Sequence, residues 1–196
     1  MPASAEAWRC FVAVPAPADL RAALEKLVAA WRREPDVPDL RWTDPDGWHV
    51  TLAFLGQTDA DAVPDLTSRL AAAASVLAPF RAATSELGAF PRPGAAQSVW
   101  LGIEDREGRL GDLAAAVQAA VLDPEARRPL RAHLTLGRSR DRRGEPLGTW
   151  LAGRSVPRAE IPVTDAILYR SHLGTGPARY EELARAPLRG AGSARG

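Results

Sequence analysis

Only three histidines occur in the 196 residues, His49, His133 and His172, and two of them share a context. The segments read His49-Val50-Thr51-Leu52 and His133-Leu134-Thr135-Leu136. On an extended chain residues i and i+2 leave from the same face, so each segment projects an imidazole and a hydroxyl side by side. The intervening aliphatics turn the other way, toward a core. With nine threonines in the chain, two such coincidences among three histidines have a chance probability under about 1%. Imidazole titrates near neutrality, so one histidine can act as general base while the other acts as general acid, and the expected pH–rate profile is bell-shaped. Threonine hydroxyls are short donors suited to non-bridging phosphate oxygens. Two imidazoles and two hydroxyls facing one another make a clamp for a single phosphorus, the arrangement phosphodiester cleavage needs. A lone strand histidine is more often a packed or surface residue, and His172 is read that way.

Two other functions compete at this level. A metallohydrolase using all three histidines is the poorer one, because no Asp or Glu follows any of them at i+3 or i+4 on a shared face. A non-catalytic phosphate-binding module would use the threonines and Arg138 without two titrating histidines.

Charge is nearly balanced, 25 Lys plus Arg against 24 Asp plus Glu, for a net charge of +1. Such a total argues against a broad basic coat for nucleic acid. It is unevenly spread: Arg127 to Arg143 holds seven arginines and one acid, Asp141, leaving −5 for the rest of the chain. A solvated loop accounts for several of these arginines. Arg138, just after the second motif, is the phosphate-contact candidate. Strict alternation would turn Arg138 away from the His133 face, so a bulge or turn at Gly137 is required to bring it back. If the strand runs straight, Arg138 leaves the site.

Cys10 is the single cysteine and Lys26 the single lysine. The first permits no internal disulfide and reads as a buried strand residue. The second, with no Gly-rich fingerprint, argues against nucleoside-triphosphate chemistry. Met1 to Arg9 lacks a basic start followed by an apolar run, and no apolar stretch approaches 18 residues. A cytoplasmic, soluble monomer without cofactor or metal is expected.

The elements that must hold the motifs follow from periodicity and turn residues. Strands are expected at 9–14, 40–43, 48–55 (ended by Gly56), 80–87, 98–103 and 130–137, with another within 156–170. Helices are expected at 17–33, with Asp19 as N-cap, at 60–77 and at 110–122. Asp44-Pro45-Asp46-Gly47 is a turn and 138–148 a polar loop. A strand–helix–strand–strand rhythm occurs more than once, which predicts an α+β protein of two similar lobes. Residues 1–188 are expected to form one bilobal domain and 189–196 a disordered tail.

At these residues the sequence resembles the two-histidine (2H) phosphoesterases, closest to the bacterial LigT-type RNA 2′,3′-cyclic phosphodiesterases, historically called 2′-5′ RNA ligases. The resemblance rests on Arg9-Cys10-Phe11-Val12-Ala13-Val14-Pro15, Arg41-Trp42, His49 to Gly56, His133 to Arg138, and a closing segment of Leu168 to Leu173 followed by Gly176 to Glu181. It implies a bilobal fold, two antiparallel-rich sheets with outer helices around a central groove. It implies metal-independent hydrolysis of RNA ending in a 2′,3′-cyclic phosphate, leaving a 2′-phosphate, or in the historical sense reversible ligation. By analogy His133 is the proton acceptor that activates water and His49 the proton donor to the departing O3′. Thr51, Thr135 and Arg138 would bind the phosphate, and Phe54 would either contact the base or only pack. Ala132 stands where relatives often have proline.

Overall fold

The computed structural model describes residues 6–172, 174 and 178–190. The strands are β1 (Ala7–Pro15), β2 (Leu40–Trp42), β3 (His49–Asp59), β4 (Phe80–Phe90), β5 (Ser98–Glu104), β6 (His133–Ser139), β7 (Glu160–Val163), β8 (Asp165–His172) and β9 (Arg179–Pro187). The helices are α1 (Ala18–Trp31), α2 (Val63–Ser75), α3 (Arg109–Val121) and the single turn α4 (Gly148–Leu151).

All strands belong to one curled, antiparallel ladder in the order β7-β4-β5-β6-β3-β1-β8-β9, with β2 added along the end of β6. The expected two lobes are its two halves, β7-β4-β5-β6 and β3-β1-β8-β9. They meet at a single residue pair, Val50 opposite Leu134. Each half buries one face under helices. Leu20, Leu24, Val28 and Trp31 of α1 are spaced three or four apart and all buried, as are Leu110, Leu113, Val117 and Val121 of α3. No helix among the described residues is long and apolar enough to cross a membrane.

Several sequence-based boundaries move for identifiable reasons. Helix α1 is capped by Pro17, in extended conformation, and not by Asp19, which sits in the first turn and accepts from the Leu20 N–H. Strand β3 does not end at Gly56. Gly56 takes φ +71 inside it, at a bulge where Leu55 is the extra residue against β1. That left-handed conformation suits glycine and lets the strand bend and continue. Strand β6 begins at His133, later than expected, and runs past Gly137. Strand β9 and turn α4 were not anticipated. Strand β9 is an edge strand whose first four residues are all exposed, so it shows no apolar alternation to read. The expected disordered tail lies outside the described residues from 191 onward, while Gly190 donates its N–H to Leu77 O.

Candidate active site

The two His-x-Thr segments are built alike down to their irregularities. In β3, Thr51 pairs with Ala13 and Ala53 with Val12, so Leu52 is an extra, bulged residue. In β6, Thr135 pairs with Trp100 and Gly137 with Val99, so Leu136 is the extra residue. Burial follows the bulge: Leu52 and Ala53 are buried in succession, as are Leu136 and Gly137. The next residue, Phe54 in one strand and Arg138 in the other, is thereby returned to the histidine face. The condition set for Arg138 from sequence is thus met, by a bulge one residue before Gly137. Phe54 proves to occupy the equivalent place in the other lobe.

A bulge frees backbone groups from the ladder, and they need other partners. The Leu136 and Thr135 carbonyls accept from the Thr43 hydroxyl at 2.9 and 2.7 Å, and the Thr43 N–H donates to Leu136 O at 2.9 Å. Thr43 Oγ1 in turn accepts from the Trp48 indole at 2.7 Å. The Leu52 carbonyl accepts from the buried Gln118 amide at 2.9 Å, and the other end of Gln118 accepts from the Arg128 N–H at 2.8 Å. Each bulge is therefore held by a side chain from outside its own strand pair. Neither Thr43 nor Gln118 carried a sequence signal, because a polar residue in a loop or helix has no pattern that reports its distant partner.

Antiparallel register about the Val50–Leu134 pair sets His49 against Thr135 and Thr51 against His133. Both imidazoles are oriented by the same contact, Nδ1 to the carbonyl two residues earlier: Gly47 O for His49 and Arg131 O for His133, each at 2.6 Å. A carbonyl only accepts, so the hydrogen-bond network assigns the proton to Nδ1 and leaves Nε2 as the free nitrogen of each ring. His49 is further enclosed by aromatic rings, stacked on Phe11 (centroids 4.7 Å apart) with Tyr180 edge-on at 5.2 Å. His133 has Phe90 edge-on at 5.1 Å.

This enclosure changes the electrostatics from the near-neutral titration expected of free imidazole. Burial pushes the His49 pKa down to about 4, with His133 and Arg138 adding repulsion and the Gly47 carbonyl partly opposing it. Burial also lowers the His133 pKa, again opposed by its carbonyl partner and reinforced by Arg138. Both shifts favour the uncharged imidazole, and the larger one is at His49.

His49, Thr51, Phe54, His133, Thr135 and Arg138 all line one cleft of about 720 Å³. His172 does not join them and is hydrogen-bonded to Glu181 at 2.8 Å. Among the described residues no cluster of His, Cys, Asp or Glu is arranged to hold a metal ion. The arginine-rich segment divides in the same way. Arg127 and Arg128 bond carbonyls at the end of α3 and just beyond it, and Arg131 lies over Phe90; only Arg138 and Arg140 reach the cleft. Two further arginines, Arg9 and Arg41, line it from β1 and β2. The Arg9 guanidinium sits 4.6 Å from the centre of the Phe54 ring, which is 50% exposed.

Residues 14–100 match the family described as LigT like Phosphoesterase. The chain is 32% identical over 186 residues to an RNA 2′,3′-cyclic phosphodiesterase of Geobacillus stearothermophilus, covering 92% of this chain and 57% of that longer protein. It is 30% identical over 177 residues to the RNA 2′,3′-cyclic phosphodiesterase of Archaeoglobus fulgidus, covering 89% of this chain and 97% of that one. Among solved structures, E. coli LigT complexed with NADP+ superposes with a TM-score of 0.73 at 26% identity, over 94% of this chain and 99% of that one.

Proposed function

The chain belongs to the LigT-like phosphoesterase family, that of the RNA 2′,3′-cyclic phosphodiesterases, and on that footing we propose that it hydrolyses RNA 2′,3′-cyclic phosphate ends to 2′-phosphates by paired histidine catalysis without a metal ion. The observation that carries the reading is the duplicated, bulged His-x-Thr strand, whose two copies face one cleft from either side of the Val50–Leu134 pair.

The cyclic phosphate lies between the strands, its non-bridging oxygens accepting from Thr51 and Thr135 and its charge facing Arg138. His133 Nε2 takes a proton from the attacking water as the water oxygen bonds to phosphorus. The bond from phosphorus to O3′ breaks on the opposite side, and His49 Nε2–H delivers a proton to O3′. The products are a 3′-hydroxyl and a 2′-phosphate. Because the empty cleft disfavours an imidazolium at His49, the proton it donates arrives with the substrate: an anionic phosphate against Nε2 offsets the desolvation that lowered its pKa. Phe54, backed by Arg9, offers an exposed ring for the terminal base.

The test is incubation of an oligoribonucleotide ending in a 2′,3′-cyclic phosphate with the protein in EDTA, followed by identification of the product. The expected product is the 2′-phosphate alone, with H49A and H133A each folded and depressed by about 10²-fold or more. A 3′-phosphate as sole product reverses the leaving oxygen and refutes the assignment. Loss of activity in EDTA refutes metal independence, and binding without turnover favours an RNA-end binding module.

A further inference from the structure

Strand β2 is only three residues long, yet it sets Arg41 directly opposite Arg138 in antiparallel register. Directly opposed residues share a face with Cβ atoms ~5 Å apart, and like charges there are destabilising. Both guanidiniums are exposed and line the catalytic cleft, and among the described residues neither makes an ion pair with a carboxylate. Arg140, two residues on, also lines the cleft, but its Nε is engaged by Asp39 at 3.1 Å. Asp44 is the one carboxylate among the described lining residues; its Oδ1 accepts from the Asp46 N–H at 3.0 Å, and it forms no ion pair with Arg41 or Arg138. The β2–β6 rim thus holds two uncompensated positive charges. A cyclic phosphate is a monoanion, so Arg138 on it leaves Arg41 unmatched.

We propose that Arg41 is a second phosphate contact, binding the internucleotide phosphodiester on the 5′ side of the terminal nucleotide while Arg138 faces the cyclic phosphate. This rests on the phosphodiesterase reading above and adds a specificity-determining residue to it. The two phosphates belong to one nucleotide, one on its ribose 2′,3′ edge and one on its 5′ oxygen, and the two guanidiniums project from adjacent strands of one rim. Arg41 thereby distinguishes an RNA end from a free nucleoside cyclic phosphate, which has no 5′ link. The contact is charge-assisted and exposed, so it acts on substrate binding and not on the chemical step.

The test compares kcat/KM for a dinucleotide ending in a 2′,3′-cyclic phosphate with that for a nucleoside 2′,3′-cyclic phosphate, in the wild type, R41Q and R41K. The wild type is expected to prefer the dinucleotide. In R41Q that preference falls about tenfold or more, through KM. The slope of log kcat/KM for the dinucleotide against log salt also falls by ~0.7, the value for one single-strand phosphate contact. R41K keeps the charge and retains that slope. An unchanged preference in R41Q, or equal losses on both substrates, overturns the assignment while leaving the phosphodiesterase reading in place. Turnover of neither substrate by the wild type overturns both.

Discussion

His49 carries the sharpest quantitative expectation. Moving its pKa from 6.5 to about 4 corresponds to ~3.4 kcal/mol against the imidazolium. At pH 7 only ~0.1% of the free protein would then hold a proton on His49, too little for an efficient general acid. A unit negative charge ~4 Å from Nε2, at an effective dielectric of about 20, supplies ~4 kcal/mol, or about three pKa units. Bound anion and buried imidazole therefore nearly cancel, and the ring returns to neutral-pH titration only when the cleft is occupied. The assay is a histidine Cε1–H NMR titration with and without saturating sulfate, whose charge is constant over the range, with H133Q used to assign the signals. The expected result is a midpoint near 4 in the free protein and an upward shift of two units or more with sulfate. By linkage, sulfate binds at least ~100-fold more tightly below the free midpoint than at neutral pH. A free midpoint near 6.5, or a sulfate shift below half a unit, contradicts this coupling. The first would mean that the aromatic enclosure leaves the ring solvated, the second that the anion lies away from Nε2.

Three further outcomes follow from the same contacts. Removing the Thr43 hydroxyl in T43V leaves the Trp48 indole and the Thr135 carbonyl without that partner. This should cost ~1–3 kcal/mol and lower kcat more than it raises KM, a split read from steady-state kinetics; unaltered kcat would mean that the bulge holds without it. Q118L removes the partners of Leu52 O and Arg128 N in a buried setting. It should lower Tm by about 4–8 °C in calorimetry, from a loss of ~2 kcal/mol. For acid stability, the folded His49 pKa lies below the unfolded value of 6.5, so the unfolded chain takes up the proton first as pH falls. Stability should decline from about pH 6.5 down to pH 4, by up to ~3 kcal/mol from this residue. Urea unfolding of H49F should show a shallower decline over that window, and an identical pH dependence would discount the shift.

What could be read from the sequence was whatever depends on short-range periodicity. The offset of two between histidine and threonine is a strand property, so the two motifs and their shared face were legible. So was the need for a bulge before Arg138, since a guanidinium five residues from His133 would otherwise face the wrong way. The matching bulge at Leu52 was not, because Phe54 carries no charge whose placement demands explanation. Gly56 reads as a strand terminator, yet bends the strand, since φ > 0 suits either role. The depressed histidine pKa values were also hidden. They arise from burial under Phe11, Tyr180 and Phe90, which come from three other strands, and to a smaller extent from Arg138, which lies on the strand of His133 and across the cleft from His49. A histidine's neighbours in sequence say little about its solvation. Thr43 and Gln118 act through partners 92 and 66 residues away, beyond any local pattern.

The Val50–Leu134 pair sits where a molecular dyad would pass if the halves were separate copies. A perfectly two-fold cleft would be indifferent to orientation, accepting the same nucleotide in either of two poses related by the dyad and wasting half its encounters. Phe54 and Arg138 stand at equivalent positions after equivalent bulges, one aromatic and one cationic, and that mismatch is one of the differences that break the degeneracy. On the proposed phosphodiesterase reading, a charge-assisted contact from Arg138 that Phe54 does not offer would separate the two poses by about 1.5–3 kcal/mol, enough for at least nine of every ten bound ends to point the same way. Covalent joining of the halves is what makes the mismatch possible, since a dimer of identical chains carries its two sites in equal copies. On that reading, the polarity of a bound strand would be set by the difference between two positions that the fold otherwise makes equivalent.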